Sequence, residues 1–466
     1  MFRYITILLF LTILCSGGFA QSPNSFSVVL DKKITDWISL PCEKSGFCIV
    51  AEKKTKESKQ LIINHFDTTM HIVFDTAYTL PSEWKRQYAF YENGAVVVLY
   101  RVYQKKYYSN QGLLVLYHPD SKTIEKREVS GLPVVEVSGE WHHYQGNILS
   151  YSIGKNDKVW FLPKGATQPT AFPFTEENPG RVIATAVDTA QGKAIICFAT
   201  GGRTAYFETD FTGKSSFANI LNEPATNAHW VSVNHDHSLL ILYFQDDETF
   251  YMHPVNILNH RVIPSETIYC ADILVPQALP SGVINRQTVI ISPNQYVSFL
   301  PTTTNRVNDR IYCITELYWP EYYNYFNGYY VEPRFNGYRY ERADVHFFDT
   351  NGVFQTNVTV PFGEEGVLHS KIIYKLKISP LQNNDLLLYY REGQVLTTML
   401  LDSTLKVKDP MRNADLPLPK ITLKKQKLMV DRFMHWYGNK FLLTDFRINV
   451  LSRAKTGYDA TRLEYR

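Results

Sequence analysis

The chain has 466 residues, of which 45% are hydrophobic and 20% charged, an ordinary globular composition that provides for one large or two ordinary domains. Its net charge of +3 is too small for a nucleic-acid-binding protein, which would concentrate Lys and Arg on a strongly basic domain. Aromatic residues make up 14% of the chain, with 31 Tyr and 27 Phe, and this bias favours pleated, half-buried strands.

The first twenty residues have the three parts of a secretory signal peptide. Arg3 precedes an apolar run at residues 5–14, and small residues lead up to Ala20. This run is shorter than the roughly 20 residues that a membrane span requires, and charges or turn residues interrupt every later apolar run. Because the bulky Leu14 precedes Cys15, lipid attachment at Cys15 is disfavoured. We expect cleavage after Ala20 and a secreted or periplasmic protein without a transmembrane segment.

Removal of the signal peptide leaves five of the six cysteines, an odd number that prevents complete pairing. Cys42 and Cys48 flank a turn-like stretch at 43–47, so they are candidates for a disulfide in an oxidising compartment. The alternative is two unpaired thiols beside a hairpin. No cysteine spacing matches a zinc site, and we expect neither a metal nor a cofactor.

A short apolar strand entered from a turn recurs along the chain. Its eight occurrences are mostly about 45 to 58 residues apart, which is the repeat length of four-stranded propeller blades. They lie at residues 47–50, 95–100, 147–151, 194–198, 239–243, 296–300, 386–390 and 441–444.

A second landmark follows many of these strands by roughly twenty residues, where a strand ends in Asp and a turn. An Asp side chain accepts hydrogen bonds from its own backbone two residues on, so the pattern predicts the hairpin between the last two strands of a unit. A ring of calcium-binding or acid–base aspartates is the less favoured interpretation. The aspartates are Asp67, Asp120, Asp210, Asp349 and Asp402.

The turns that enter the first landmark also recur, as Ile-Ser-Pro-Asn at 291–294, Ile-Ser-Pro at 378–380 and Val-Asn-His-Asp at 233–236. These turns resemble the Ser-Pro-Asp-Gly turns of TolB-like and WD40-like bacterial propellers, although the glycine is missing from all three. The resemblance covers most of the mature chain and implies architecture only.

Helical periodicity is scarce after the signal peptide, which disfavours an α/β fold, and the chain is too long for a single β-sandwich. We therefore predict an all-β fold for residues 21–466, a single β-propeller of four-stranded blades. Eight blades are favoured, and seven are the alternative. Residues 25–30 are predicted to add the outer strand of the last blade, beside residues 461–465, so that the joined termini leave no open edge.

The sixth unit is lengthened by an aromatic-rich insertion at about 316–344. Long loops in compact repeats are functional or disordered, and disordered segments are poor in aromatic residues. Two Asn-Gly pairs, at 327–328 and 336–337, predict hairpin turns. The rings suit sugar stacking or a protein interface, and the arginines suit a carboxylate; the alternative is that the rings only pack the insertion onto its own blade. The candidate ligand-binding residues are Trp319, Tyr322, Tyr323, Tyr325, Tyr329, Tyr330, Arg334, Tyr338, Arg339 and Tyr340.

None of the common catalytic motifs occurs, so catalytic residues stay unknown. The favoured function is non-catalytic: an exported propeller that binds an unidentified protein or glycan partner through one face and the insertion. The alternative is a carbohydrate-active enzyme, a glycoside hydrolase or lyase, with its site in the central depression and with Glu316, Glu321 and Asp344 as candidate carboxylates. Carboxylates with perturbed pKa values near the centre would favour the enzyme.

The densest group of metal-ligand residue types coincides with a predicted turn, which favours a structural role for it over metal binding. The group consists of His229, His235, Asp236 and His237.

We predict that Cys42 and Cys48 are linked in the mature protein and that Cys197, inside an apolar strand, is not. Peptide mapping without reductant should recover the first two as one cross-linked peptide. Recovery of alkylated Cys42 would contradict the pairing.

Overall fold

Strands make up the regular structure in the computed structural model, and the one helical element of the described residues is a 3₁₀ turn, Glu43–Ser45. Within the same part of the chain, no helix has the length and apolar character that crossing a membrane would require. The structure describes residues 19–465 except 30–32, 105–106, 135–136, 154–157, 173–180, 190, 201–202, 222–229, 234–238, 246–248, 259–260, 265, 273–282, 285–286, 289–297, 302–304, 308–309, 327–328, 364–365, 417–425 and 450–454.

The strands of the described residues are numbered in chain order. The first eighteen are β1 (Phe19–Val29), β2 (Ile34–Pro41), β3 (Phe47–Lys54), β4 (Ser58–Phe66), β5 (Ile72–Pro81), β6 (Trp84–Glu92), β7 (Ala95–Gln104), β8 (Tyr107–His118), β9 (Thr123–Val129), β10 (Val137–Tyr144), β11 (Asn147–Ile153), β12 (Lys158–Leu162), β13 (Thr170–Ala171), β14 (Arg181–Asp188), β15 (Lys193–Thr200), β16 (Arg203–Thr209), β17 (Ser215–Leu221) and β18 (Trp230–Val233). The others are β19 (Leu239–Gln245), β20 (Thr249–Leu258), β21 (Arg261–Pro264), β22 (Ile268–Asp272), β23 (Val283–Ile284), β24 (Gln287–Thr288), β25 (Ser298–Pro301), β26 (Asn305–Val307), β27 (Arg310–Phe326), β28 (Val331–Asp349), β29 (Phe354–Pro361), β30 (Val367–His369), β31 (Lys377–Pro380), β32 (Leu386–Glu392), β33 (Val395–Leu401), β34 (Val407–Asp415), β35 (Gln426–Tyr437), β36 (Lys440–Asn449) and β37 (Lys455–Tyr465).

Antiparallel pairing joins these strands into sheets, and the chain divides into two units. The first unit, residues 1–104, 112–128 and 377–466, holds the sheets β2–β5, β31–β34 and β1-β37-β36-β35 and most of the sheet β6–β9. The second, residues 105–111 and 129–376, holds β10–β13, β14–β17, β18–β21 with β22 beside β20, the small hairpin β23–β24, and β25-β27-β28-β29 with β26 and β30 added. These four-stranded antiparallel sheets confirm the predicted all-β, β-propeller class of fold, whereas the choice of eight blades and the single domain stay predictions.

The recurring apolar strand was predicted correctly in seven sheets, where it lies second from one edge in the hydrogen-bonded order of its sheet: β3, β7, β11, β15, β19, β32 and β36. The sixth predicted strand, at residues 296–300, is also a strand in its described part, but it takes a different place in its sheet. Its described part falls on β25, the first strand of a sheet whose second strand is β27. A short apolar run shows the same sequence pattern whether it forms the edge strand of a sheet or the strand beside it. Periodicity alone therefore does not distinguish these two positions.

The Asp-containing turns are confirmed as hairpins between the last two strands of a sheet. Asp210 Oδ1 accepts hydrogen bonds from the backbone N–H and the hydroxyl of Thr212 and from the N–H of Lys214. Asp67 and Asp402 accept the same set at the same spacing, and Asp349 accepts both backbone bonds. The repeated aspartates therefore fix turn geometry. Asp120 accepts a hydrogen bond from the Ser45 hydroxyl.

The two ends of the chain meet in one sheet, as the sequence predicts. Strand β1 pairs with β37, with Ser25 opposite Thr461 and Val29 opposite Gly457. We call this sheet of β35, β36, β37 and β1 the terminal sheet. Its last strand begins at Lys455, earlier than the predicted 461, so the pairing with β1 is longer than expected.

Buried apolar side chains pack neighbouring sheets of each unit against one another. In the first unit, Phe446 and Tyr458 of the terminal sheet share a core with Phe47 and Phe66 of the sheet β2–β5. The turn before Phe47 depends on Gly46, whose φ is +117° and whose missing Cβ would lie 1.9 Å from the Phe66 carbonyl oxygen. A side chain at this position would therefore separate the two strands.

Substitution of Asp210 by Ala should lower the free energy of unfolding at neutral pH by about 1 kcal/mol, because the turn loses its acceptor. Burial by itself raises the pKa of Asp210. The hydrogen bonds from Thr212 and Lys214 lower the pKa by more, so that it lies below its usual value. The stabilisation is thus present above the unfolded-state pKa of about 3.9 and is lost as the pH falls through the lower folded-state value. Denaturant titrations of both proteins should converge in acid; a difference that persists there would contradict this account.

Candidate functional site

The hairpin β27–β28 is the longest in the described part of the chain, at 17 and 19 residues. Its base is flanked by other strands: β25 pairs with β27 up to Tyr318, and β29 and β30 pair with β28 down to Tyr338. Beyond these positions, from the pair Glu321–Gly337 outward, β27 and β28 pair with each other as a ribbon, which we call the arm, residues 321–337. The ends of the predicted insertion therefore belong to the sheet, and its middle forms the arm.

The prediction of a turn at Asn336-Gly337 was wrong. These residues lie inside β28, where the register shifts: Glu321 pairs with Gly337, and the next residue, Tyr322, pairs with Phe335. The position is a β-bulge. Gly337 is required because its φ is +149° and an added Cβ would lie 2.8 Å from the His369 carbonyl oxygen of β30. Residues 327–328, the other predicted turn, lie outside the described residues.

A column of aromatic rings connects the arm to the interior of its sheet. Ring-centroid distances are 5.0 Å from Phe335 to Tyr338, 5.7 Å from Tyr338 to Tyr318, 5.4 Å from Tyr318 to Tyr340 and 6.2 Å from Tyr340 to Phe362. Tyr340 and Phe362 are completely buried. Each such pair contributes about 0.5–1.5 kcal/mol beyond burial, so the column stiffens the base of the arm.

Buried polar side chains hold the same region in place. Glu321 accepts hydrogen bonds from Arg339 and, at 2.6 Å, from the Asn336 side-chain amide. Five residues earlier on the same strand, Glu316 accepts the backbone N–H groups of Lys375 at 2.8 Å and Leu376 at 2.7 Å. The charge-assisted bonds of Glu321 join β27 to the bulged part of β28, and those of Glu316 join residues 375–376 to β27.

The loop next to the arm is fastened to the column as well. The Ile373 N–H donates to the Tyr340 hydroxyl at 2.7 Å, and the Lys375 ammonium lies 5.2 Å from the Tyr340 ring centroid. Burial raises the pKa of Tyr340 to about 12. At and next to these anchors, the loop exposes the side chains of Ile372, Ile373 and Tyr374.

The two faces of the arm differ in chemistry, because paired residues of an antiparallel ladder point to the same side. One face carries charge that is neutralised within the arm: Arg334 lies 2.8 Å from Glu332, and its guanidinium covers the Tyr325 ring at 3.6 Å from the centroid. The opposite face, which we call the apolar face, has no charged residue. It consists of Tyr322, Asn324, Phe326, Val331, Pro333 and Phe335.

The apolar face is open to solvent. Phe326 is 64% exposed, Val331 59% and Phe335 46%, and Tyr329 at the tip is 93% exposed. Rings of this size are normally buried, and a contiguous exposed set of them marks an interaction surface.

The predicted ligand-binding residues divide between the base and the arm. Trp319 and Tyr340 are buried at the base, and Tyr338 and Arg339 are partly buried. The exposed members are Tyr322, Tyr329, Tyr330 and Arg334, with Tyr323 and Tyr325 half-buried. Sequence reasoning did not select Phe326, Val331, Pro333 and Phe335, although their alternation with polar residues along each strand would have indicated a shared face.

The three candidate carboxylates of the enzymatic alternative are buried and bonded to protein groups. Glu316 and Glu321 have the partners given above, and Asp344 binds Arg342 at 3.1 Å and the Thr359 hydroxyl at 2.5 Å. Each therefore has a structural role in this sheet.

A separate group of carboxylates in the terminal sheet has raised pKa values. Burial and the neighbouring charge of Asp459 raise the pKa of Asp445 to about 7, and burial raises that of Asp431. Asp445 is completely buried, so it has no contact with solvent from which a substrate would approach. This group does not by itself support the enzyme.

The turn predicted between Cys42 and Cys48 is confirmed as the 3₁₀ turn Glu43–Ser45. Both side chains are thiols buried in one core, and the Cys42 thiol donates to the Leu40 carbonyl at 3.3 Å. Burial raises the pKa of Cys48, so the thiolate needed for oxidation is disfavoured in the folded state. The disulfide stays a prediction for the maturing chain.

The described residues contain no group of three His, Cys, Asp or Glu side chains placed to hold a metal ion. The histidine group was predicted at a turn, and its members, His229, His235, Asp236 and His237, lie outside the residues that the structure describes.

No protein-family model matches this sequence, and no curated protein does. Similar solved structures include TolB from Acinetobacter baumannii, at 8% identity over 78% of each chain and a TM-score of 0.31. They also include the periplasmic gluconolactonase of Pseudomonas aeruginosa, at 9% identity over 82% of this chain and 96% of that one with a TM-score of 0.37. A third is the β-propeller domain of the Trilobed protease from Pyrococcus furiosus, at 7% identity over 81% and 93% with a TM-score of 0.37. TolB is thus among the structures that this chain resembles, but likenesses this distant carry no functional argument.

Replacement of residues 323–334 by an Asn-Gly turn should change the free energy of unfolding by less than about 1 kcal/mol, because the described side chains that it removes are exposed or half-buried. The matched variant Trp319→Ala, which empties a buried site at the base, should cost about 3–5 kcal/mol. Denaturant titration compares the two. Equal losses would show that the arm serves packing.

Proposed function

We propose that this chain is an exported, non-catalytic β-propeller protein that binds a protein partner through the apolar face of the arm. Export rests on the signal-peptide pattern of the first twenty residues. The observation that carries the binding proposal is the uncharged, solvent-exposed face formed by Tyr322, Phe326, Val331 and Phe335 on a ribbon anchored to its sheet.

The chemistry of this face favours a protein over a glycan. The centres of protein interfaces are enriched in aromatic residues and depleted of charge, as this face is. A sugar would need a flat ring with polar groups beside it. The arm offers that combination on the opposite face, where Arg334 already covers the Tyr325 ring.

An anchored ribbon also lowers the entropic cost of binding. Side chains and loops that become ordered on association cost free energy, which reduces affinity. The aromatic column and the Glu321 bonds order the base of the arm before a partner arrives.

The test begins with a photo-crosslinking residue in place of Tyr330, which is 61% exposed, to capture the partner from the compartment to which the protein is exported. Calorimetry with the purified partner then compares two variants. Phe326→Asp/Phe335→Asp, on the apolar face, should weaken binding tenfold or more, since truncating a central aromatic anchor costs about 2 kcal/mol or more. The control Glu332→Ala/Arg334→Ala, on the charged face, should stay within about twofold.

Three results would contradict the proposal. The first is an equal loss of affinity in both variants. The second is a dimer of the protein alone that the apolar-face variant makes monomeric, because the face would then bind a second copy. The third is glycan-array binding that depends on Tyr323 and Tyr325, because the partner would then be a sugar.

A further inference from the structure

The terminal sheet contains a side chain that bridges three strands. Arg447 of β36 lies opposite Gly457 of β37, and a Cβ on Gly457 would lie 2.3 Å from Arg447 Nε. Without that Cβ, the Arg447 side chain crosses β37 and reaches β1. There its Nη2 donates to the Val28 carbonyl at 3.0 Å and to the Ser27 hydroxyl at 2.9 Å. Gly457 therefore opens the path by which β36 holds the N-terminal strand.

Asp459 of β37 holds the same guanidinium from the middle strand. Its Oδ2 lies 3.0 Å from Arg447 Nε, an ion pair whose N–H is not aligned for a hydrogen bond. Arg447 is thus shared between a carboxylate on β37 and two acceptors on β1.

A second carboxylate lies beside this pair, and neither of its oxygens has a hydrogen-bond partner among the described residues. Asp445 is directly opposite Asp459 in the β36–β37 ladder, and it lies two residues from Arg447 on the same face of β36. Its exposed fraction is 0%. Two ionised carboxylates at paired positions would repel each other, and a buried unbonded charge is costly.

Other charged groups also act on this position. The negative charge of Asp431 on β35 raises the pKa of Asp445. The pKa of Asp431 is in turn lowered by three positive charges, those of Arg432, Lys455 of β37 and Arg391 of β32 in the neighbouring sheet. Among the groups that act on Asp445 directly, Asp459 and Asp431 oppose its ionisation and Arg447 favours it.

We propose that Asp445 makes the terminal sheet a pH-dependent clasp, in which β1 is held while Asp445 is protonated and opens more often once Asp445 is ionised. The ionised carboxylate competes for Arg447, and each time Arg447 turns toward it, the bonds to Ser27 and Val28 are lost. Arg447 reaches Ser27 and Val28 only while its side chain extends across β37, so turning back toward Asp445 on its own strand withdraws Nη2 from β1.

The direction of the pH effect follows from linkage. The pKa of Asp445 is raised to about 7 by burial and by Asp459, against about 3.9 in an open chain. The closed sheet therefore binds the proton more tightly. Its stabilisation is complete below the open-state pKa and is lost as the pH rises through the closed-state value.

Hydrogen exchange of the full-length protein tests the clasp. After correction for the intrinsic rate, opening of the β1 backbone amides should become up to about tenfold more frequent between about pH 6 and about pH 8. The amides of β3, in the neighbouring sheet, should not share this change. A response that is absent, or equal in β1 and β3, would overturn the proposal.

Variants assign the effect to the named groups. Asp445→Asn, nearly the same in shape, should reduce the change to less than about twofold. Arg447→Gln should raise β1 exchange at both pH values and leave little response to pH. Asp402→Asn, in an exposed turn of another sheet, is the matched control and should keep the wild-type response. If Asp445→Asn keeps the full response, the proposal is wrong.

Discussion

A two-stranded β-ribbon is only marginally stable in water, so an arm of this kind needs an anchor. Here the anchor is the contact between Tyr318 and Tyr340, stacked at 5.4 Å between the strands of one hairpin. Tyr338 and Phe335 extend the stack outward, and Phe362 extends it into the core. The exposed apolar face depends on this column, because without it the ribbon would have no fixed orientation on its sheet.

In two of the sheets, an additional strand pairs with the backbone N–H and C=O groups along the edge of a longer strand. In the terminal sheet, β1 covers the edge of β37, and Arg447 adds side-chain bonds to the backbone ladder. In the sheet of the arm, β30 covers part of β28, and its close approach requires Gly337 and Gly366, where an added Cβ would meet backbone oxygen at 2.8 Å and 2.4 Å. Strand edges that are covered in this way resist pairing with other chains.

Sequence reasoning succeeded where the signal is local. The apolar strands and the Asp turns depend on neighbouring residues, so their periodicity predicted the blade-type sheets and the closure of the termini. Sequence reasoning failed where a feature depends on which residue of another strand lies opposite, because a single sequence does not give that pairing. Periodicity did not show that the strand at 298–301 lies at the edge of its sheet, unlike the seven others. The register shift at Asn336 likewise decides which rings share the apolar face. The Asp445–Asp459 pair depends on the same kind of register, which a single sequence does not reveal.

The central claim is that the outer arm presents its rings to solvent while the base of the same hairpin buries them. Hydroxyl-radical footprinting of the protein alone measures this directly, residue by residue. We predict rapid modification of Phe326, Tyr329 and Phe335 and strong protection of Trp319 and Tyr340, in line with their exposed and buried surfaces. Protection of Phe335 equal to that of Tyr340 would mean that the apolar face is covered by the chain itself, and it would contradict the account.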